Sequence, residues 1–226
     1  MTTTDPSQSA VALRPFNESD FASFAELLAN LWHSESDREL SLLQGSEELS
    51  HHLSEATWGI VAEQSKPLGL CLVKLTSDLT LPTTAEGDAN FGGALDAEVW
   101  EKRHAAFVEQ AQALDGASAC PDPICAAEDV LMNRTLEDDG ASVGILQLLV
   151  LSPEARGLGL GRRLMQAGLS LIKAAGASRY RLSTDEGCDW HFYEHIGLTR
   201  IAEDTLMLPD DDADRAFSYF VYEGTL

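Results

Sequence analysis

The chain has 226 residues, 44% of them hydrophobic, and carries a net charge of −22 from 37 acidic and 15 basic side chains. That length and apolar content suit one domain with an insertion, or two small domains. The acidity excludes a nucleic-acid surface, because phosphates would be repelled, and no apolar run reaches the ~18 residues of a membrane span.

The first residues, Met1 to Ala10, are polar and lack the charged-then-apolar order of a signal peptide. They read as a frayed tail over 1–9. Cys71, Cys120, Cys125 and Cys188 contain no Cys-x-x-Cys, and Cys120 and Cys125 lack the His and Cys partners that a zinc site would need. Reduced thiols, a cytoplasmic location and no metal are expected.

Val11 to Arg14 reads as a first strand. Asn17 to Asp20 offers helix caps before an apolar face of Phe21, Phe24, Leu27, Leu28 and Leu31. A second helix is predicted over 37–56, interrupted near Gly45. Strands over 57–63 and 68–75 follow, joined by the turn Gln64-Ser65-Lys66-Pro67. Thr76 to Ala141 is too long for a plain loop and reads as a helical insertion. It holds a turn-rich stretch over 80–93, a helix over 96–114 with Val99, Trp100, Ala106, Phe107 and Ala113 on one side, a break over 116–123, and a helix over 126–136.

Val143 to Leu151 is apolar throughout, the pattern of a strand buried on both faces. A glycine-rich turn comes next, then a helix with Leu160, Leu164, Ala167, Leu171, Ile172 and Ala175 on one face, ended by Gly176. A strand over 179–184, a short helix over 189–196 ended by Gly197, and strands over 198–208 and 216–223 complete the order. An acidic turn over 209–214 joins the last two, whose exposed edge offers a surface for a homodimer. Asp185 or Asp189 is expected to cap the short helix.

The stretch from Leu149 to Arg163 is the most informative. A glycine-rich turn opening a helix leaves backbone N–H groups free to hold a phosphate. The dinucleotide fingerprint Gly-x-Gly-x-x-Gly fails, because its third glycine would fall on Arg162, and the Walker pattern fails at Arg162-Arg163. What remains is Arg156-x-x-Gly159-x-Gly161. Arg156, Arg162, Arg163, Lys173, Arg179 and Arg181 make the segment locally basic, as a polyanionic ligand would select.

This spacing resembles the pyrophosphate loop of the GCN5-related N-acetyltransferase (GNAT) family. A second motif, Phe192-Tyr193-Glu194-His195-Ile196-Gly197-Leu198, resembles that family's Phe-Tyr-Glu-x-x-Gly-Phe signature, with Leu198 in place of the last Phe. The resemblance implies an α/β fold, a mixed sheet whose central strands splay apart, flanked by helices, as a single domain over 10–226 with a helical insertion at about 76–141. It also implies acetyl-CoA as acyl donor and an amine acceptor, small molecule or peptide, with neither nucleic acid nor membrane as partner.

In residue terms, Leu149, Val150 and Leu151 would meet the pantetheine arm and polarise the thioester carbonyl through their backbone. The loop amides of Gly157, Leu158, Gly159, Leu160, Gly161 and Arg162 would take the pyrophosphate, with Arg156 bracing the loop. Tyr193 would be the general acid toward the departing thiolate. Transfer in the family is direct, so Cys188 reads as a bystander thiol.

The general base is where this chain departs from the family. Many relatives place a Glu nine residues before the first loop residue, and here that position is Gln147, which does not titrate. Glu128, Asp129, Glu137, Asp138, Asp139, Asp185 and Glu186 are the acids left to consider. His191 and His195, at i and i+4, have metal-binding spacing but no evident third ligand. The missing base favours one alternative, a non-catalytic acyl-CoA-binding module. A nucleotide-binding α/β protein is a weaker one, given the failed fingerprints.

Overall fold

A computed structural model describes residues 10–34, 37–76, 79, 93–115, 123–137, 142–208 and 214–226. The tail over 1–9, Cys120, Asp138, Asp139, most of the turn-rich stretch before Gly93 and most of the acidic turn after Leu208 lie outside them.

The chain runs β1 (Ala12–Pro15), α1 (Phe21–Trp32), α2 (Arg38–Glu55), β2 (Trp58–Glu63), β3 (Pro67–Leu75), β4 (Gly93–Ala94), α3 (Ala97–Asp115), α4 (Pro123–Glu137), β5 (Val143–Leu151), α5 (Leu160–Ala174), β6 (Arg179–Asp185), α6 (His191–His195), β7 (Thr199–Leu208) and β8 (Arg215–Thr225). The strands form one sheet in the order β1-β2-β3-β5-β6-β8-β7, with the short β4 against β2. Among the described residues only β5 and β6 run parallel, joined by α5 as the crossover.

Two apolar layers sandwich this sheet. On one face α5 buries Leu164, Met165, Leu171 and Ile172 against Cys71, Val73 and Leu146. On the other, α1 and α2 bury Phe24, Leu28, Leu49 and Leu53 against Val61, Leu70, Leu148 and Val150. The strand β5 therefore feeds both layers, Leu146 into one and Leu148 and Val150 into the other. That is why its sequence is apolar without alternation.

Three local expectations change. The helix α2 is not interrupted at Gly45. A Cβ there would lie 2.4 Å from the Ala25 carbonyl oxygen, so the glycine lets α1 cross α2 closely. The buried side of α3 is Trp100, Phe107, Val108 and Ala111, whereas Val99, Ala106 and Ala113 are exposed. The winning face stacks Trp100 and Phe107 on either side of Phe21, at 5.2 and 5.6 Å between ring centroids. Finally, neither Asp185 nor Asp189 caps α6 through its side chain, whose N-cap is Trp190. Asp185 Oδ1 instead accepts the Gly187 N–H at 2.6 Å, closing a turn before the helix.

Candidate functional site

The parallel pairing of β5 with β6 spans only Val143 to Ile145 against Arg179 to Arg181. Beyond that, β6 stays with β8 through Asp185, while β5 stays with β3 through Leu151. The two central strands thus part, and among the described residues the β6-facing edge of β5 has no strand partner from Leu146 to Leu151. An irregularity marks the parting point: Leu148 pairs with Leu72 and Leu146 with Val73, so Gln147 is the extra residue of a β-bulge. Leu149, Val150 and Leu151 lie on the open stretch.

The loop after β5 is a 3₁₀ turn over Pro153–Ala155 that runs into α5. Gly157 and Gly159 have φ of +77° and +69°, a left-handed conformation that costs other residues strain. Gly159 is the N-cap of α5 and has no side chain to cap it, so the first amides, Leu160, Gly161 and Arg162, have no intrahelical acceptor. Gly157 and Gly159 have nothing within 4 Å of where a Cβ would sit, which leaves the loop open to a ligand.

The basic strip is not one surface. Arg181 is buried and bonds Glu223 and the Thr135 carbonyl, and Arg179 shares the same Glu223. Arg163 donates to the Val11 carbonyl at 2.9 Å. Arg156 and Arg162 are exposed at the loop, and neither side chain makes an ion pair or hydrogen bond among the described residues.

At the far end of β6, Tyr193 packs its ring near Tyr222 at 5.8 Å, inside the apolar layer that includes Phe220. Burial, then Cys188 and Glu128, push its phenol above the ordinary value, so it stays protonated. Burial, Asp185 and Glu128 push the Cys188 thiol up to about 12, which leaves almost no thiolate.

The candidate acids separate sharply. Asp129 pairs with His51 at 2.7 Å, Glu186 pairs with Arg215 and accepts the Ser218 N–H, and Glu137 is exposed. Glu128 differs. Its carboxyl is pushed up to about 8, first by burial and then by Asp185, while the Ser183 hydroxyl partly offsets this. Its Oε1 is buried with no hydrogen-bond partner. Glu128 sits on α4, inside the insertion, and that helix lies against β6, β7 and β8. The fold thereby sets a carboxyl of the insertion beside the end of β6 that leads to Tyr193.

His191 and His195 are both exposed, and no third ligand joins them among the described residues. The group with metal-binding proximity lies elsewhere. Glu48, His52 and Cys125 bring one ligand atom each within 4.8 Å of one another. No single segment signals this trio, since it joins α2 to α4. The one hint in sequence is Glu48 and His52 one helical turn apart. A cavity of about 320 Å³ beside it is lined by Glu47, Glu48, His51, His104, Cys125 and Asp129.

Residues 130–198 match the profile of the acetyltransferase (GNAT) family. Over that segment the chain resembles the GNAT acetyltransferase family. It contains the splayed strand, the glycine loop, the crossover helix and the tyrosine motif. Among solved structures, the ribosomal-protein-S18-alanine N-acetyltransferase from Escherichia coli is 10% identical, with a TM-score of 0.51 over 95% of this chain and 92% of that one. The smu.2055 protein from Streptococcus mutans is 13% identical, with a TM-score of 0.50 over 95% and 98%. These likenesses establish the GNAT fold. No curated protein sequence matches the chain. Among the described residues, no helix is long and apolar enough to cross a membrane.

Proposed function

We propose that this GNAT protein is an N-acetyltransferase that passes an acetyl group from acetyl-CoA directly to an amine in a ternary complex. The left-handed glycines and uncapped amides of residues 157–162 suit a pyrophosphate. The unpaired edge of β5 at Leu149 to Leu151 suits the amide-bearing pantetheine arm.

The observation that carries the catalytic reading is Glu128. A carboxyl held up to about 8 by burial is matched to taking a proton from an ammonium near neutral pH. Glu128 accepts that proton, the freed amine attacks the thioester carbonyl carbon, and the C–S bond breaks. Tyr193, kept protonated by its burial, gives its phenolic proton to the departing thiolate, and the second proton that the nitrogen sheds on becoming an amide restores the phenol. Glu128 thus supplies from the insertion what Gln147 does not supply from β5. The net charge of −22 favours encounter with a cationic amine.

The test is release of free CoA thiol from acetyl-CoA in the presence of a panel of amines. Thiol release with at least one amine, lost in Glu128→Gln, is expected. Binding of acetyl-CoA with no release for any amine identifies a non-catalytic binding module instead.

A further inference from the structure

Three donors of different chemistry converge between the helices α2 and α4. Glu48 and His52 lie one turn apart on α2, so both project from the same side of that helix. Cys125 lies in the first turn of α4. Its sulfur is 3.7 Å from Glu48 Oε1. Two ligands of a tetrahedral zinc ion, one oxygen and one sulfur, sit about 3.5 Å apart at ordinary bond lengths. The ring nitrogen Nδ1 of His52 is buried with no hydrogen-bond partner, which is costly unless something else satisfies it.

The surroundings complete a site. Glu48 is only 6% exposed, and its second oxygen is held by the buried His33 Nε2 at 2.8 Å. That contact fixes the carboxylate as an outer partner fixes a metal ligand. Glu48 and Cys125 both line the 320 Å³ cavity, which has room for a water as fourth ligand.

We propose that Glu48, His52 and Cys125 form a divalent transition-metal site of the zinc class that clamps α4 to α2. The donor set decides the class. Magnesium and calcium take oxygen ligands, and an ammonium would be served by carboxylates alone, whereas a thiolate beside an imidazole selects zinc or cobalt. Binding replaces the thiol proton, which leaves to solvent. The carboxylate and thiolate then balance the two positive charges. This site does not rest on the acetyl-transfer reading, although Glu48 also acts on the nearby Glu128 carboxyl.

The experiment uses the full chain, stripped with a chelator and titrated with Co²⁺ and Zn²⁺. Co²⁺ is expected to bind one to one and to give a thiolate-to-cobalt charge-transfer band. Cys125→Ser should abolish the band and His52→Gln should weaken binding about tenfold or more. Cys120→Ser and Cys188→Ser should leave it intact. A readout on the unmutated protein guards against a variant that does not fold: Zn²⁺ should raise its Tm and protect Cys125 alone from alkylation, mapped by peptide mass spectrometry. Absence of the band, its survival in Cys125→Ser, its loss in Cys120→Ser or Cys188→Ser, or protection of a different cysteine overturns the site.

Discussion

Arg181 and Glu223 form an ion pair between β6 and β8, with the Arg181 Nε 2.9 Å from Glu223 Oε2 and Arg181 only 3% exposed. The same guanidinium reaches the Thr135 carbonyl on α4 at 2.6 Å, so one charge ties the insertion to the sheet. Removing the carboxylate would strand a buried arginine. Glu223→Ala is expected to cost about 3–5 kcal/mol, read as a lower Tm and denaturant midpoint. Acetyl-CoA affinity of the folded fraction should stay unchanged, because neither residue reaches the loop.

That pair also marks where the sequence stops being legible. Arg181 belonged to a basic strip suggestive of a polyanion, and its partner lies 42 residues away, beyond any local pattern. The elements themselves were readable where the apolar pattern is local: β5 is a near-continuous apolar run and α5 buries a periodic face, and both, like β6, fall close to their predicted ranges. The face of α3 was not, since Trp100 and Phe107 are chosen by Phe21, a residue of a different helix. Gly45 failed similarly, its role being set by a neighbouring backbone rather than by α2. The glycine loop and the tyrosine motif were legible as patterns because each is contiguous in sequence. Glu128 was not singled out, because its value lies in what α4 packs against.

Glu128 yields a pH prediction with a definite sign. Its folded value of about 8 stands above the ordinary 4.5, so between those limits the folded chain holds a proton that the unfolded chain has lost. Its contribution to stability is fullest below pH 4.5 and declines as pH rises toward 8. Glu128→Gln should therefore stabilise the protein at pH 8 by on the order of a few kcal/mol, and flatten Tm against pH across that window. The same variant should lose the limb of kcat/KM that rises toward pH 8. Unchanged profiles for both would remove Glu128 from the base role.

The acid role proposed for Tyr193 is separable from binding. Tyr193→Phe keeps the ring packed against Tyr222 and removes only the proton donor. A fall in kcat of about 10²–10⁴ with acetyl-CoA affinity nearly unchanged is expected, from steady-state rates and calorimetry. Cys188, held up to about 12, should be dispensable. Cys188→Ala should keep most of the activity, and no acetyl-cysteine should accumulate in a quench with acetyl-CoA alone.

The loop prediction turns on two glycines of α5 that share a backbone conformation but not a place. Gly159 and Gly176 have φ of +69° and +99°, each with open space where a Cβ would go. An alanine at either costs about 1–2 kcal/mol of left-handed strain. At Gly159 that strain falls on the amides proposed to hold the donor's phosphates, so Gly159→Ala should weaken acetyl-CoA binding about tenfold, raising its KM while kcat at saturation changes little. At Gly176, at the opposite end of α5, the same strain should lower Tm and leave acetyl-CoA affinity intact. Equal affinity losses in the two variants would mean that the glycines of 157–161 only shape the turn, and that the donor's phosphates are held elsewhere.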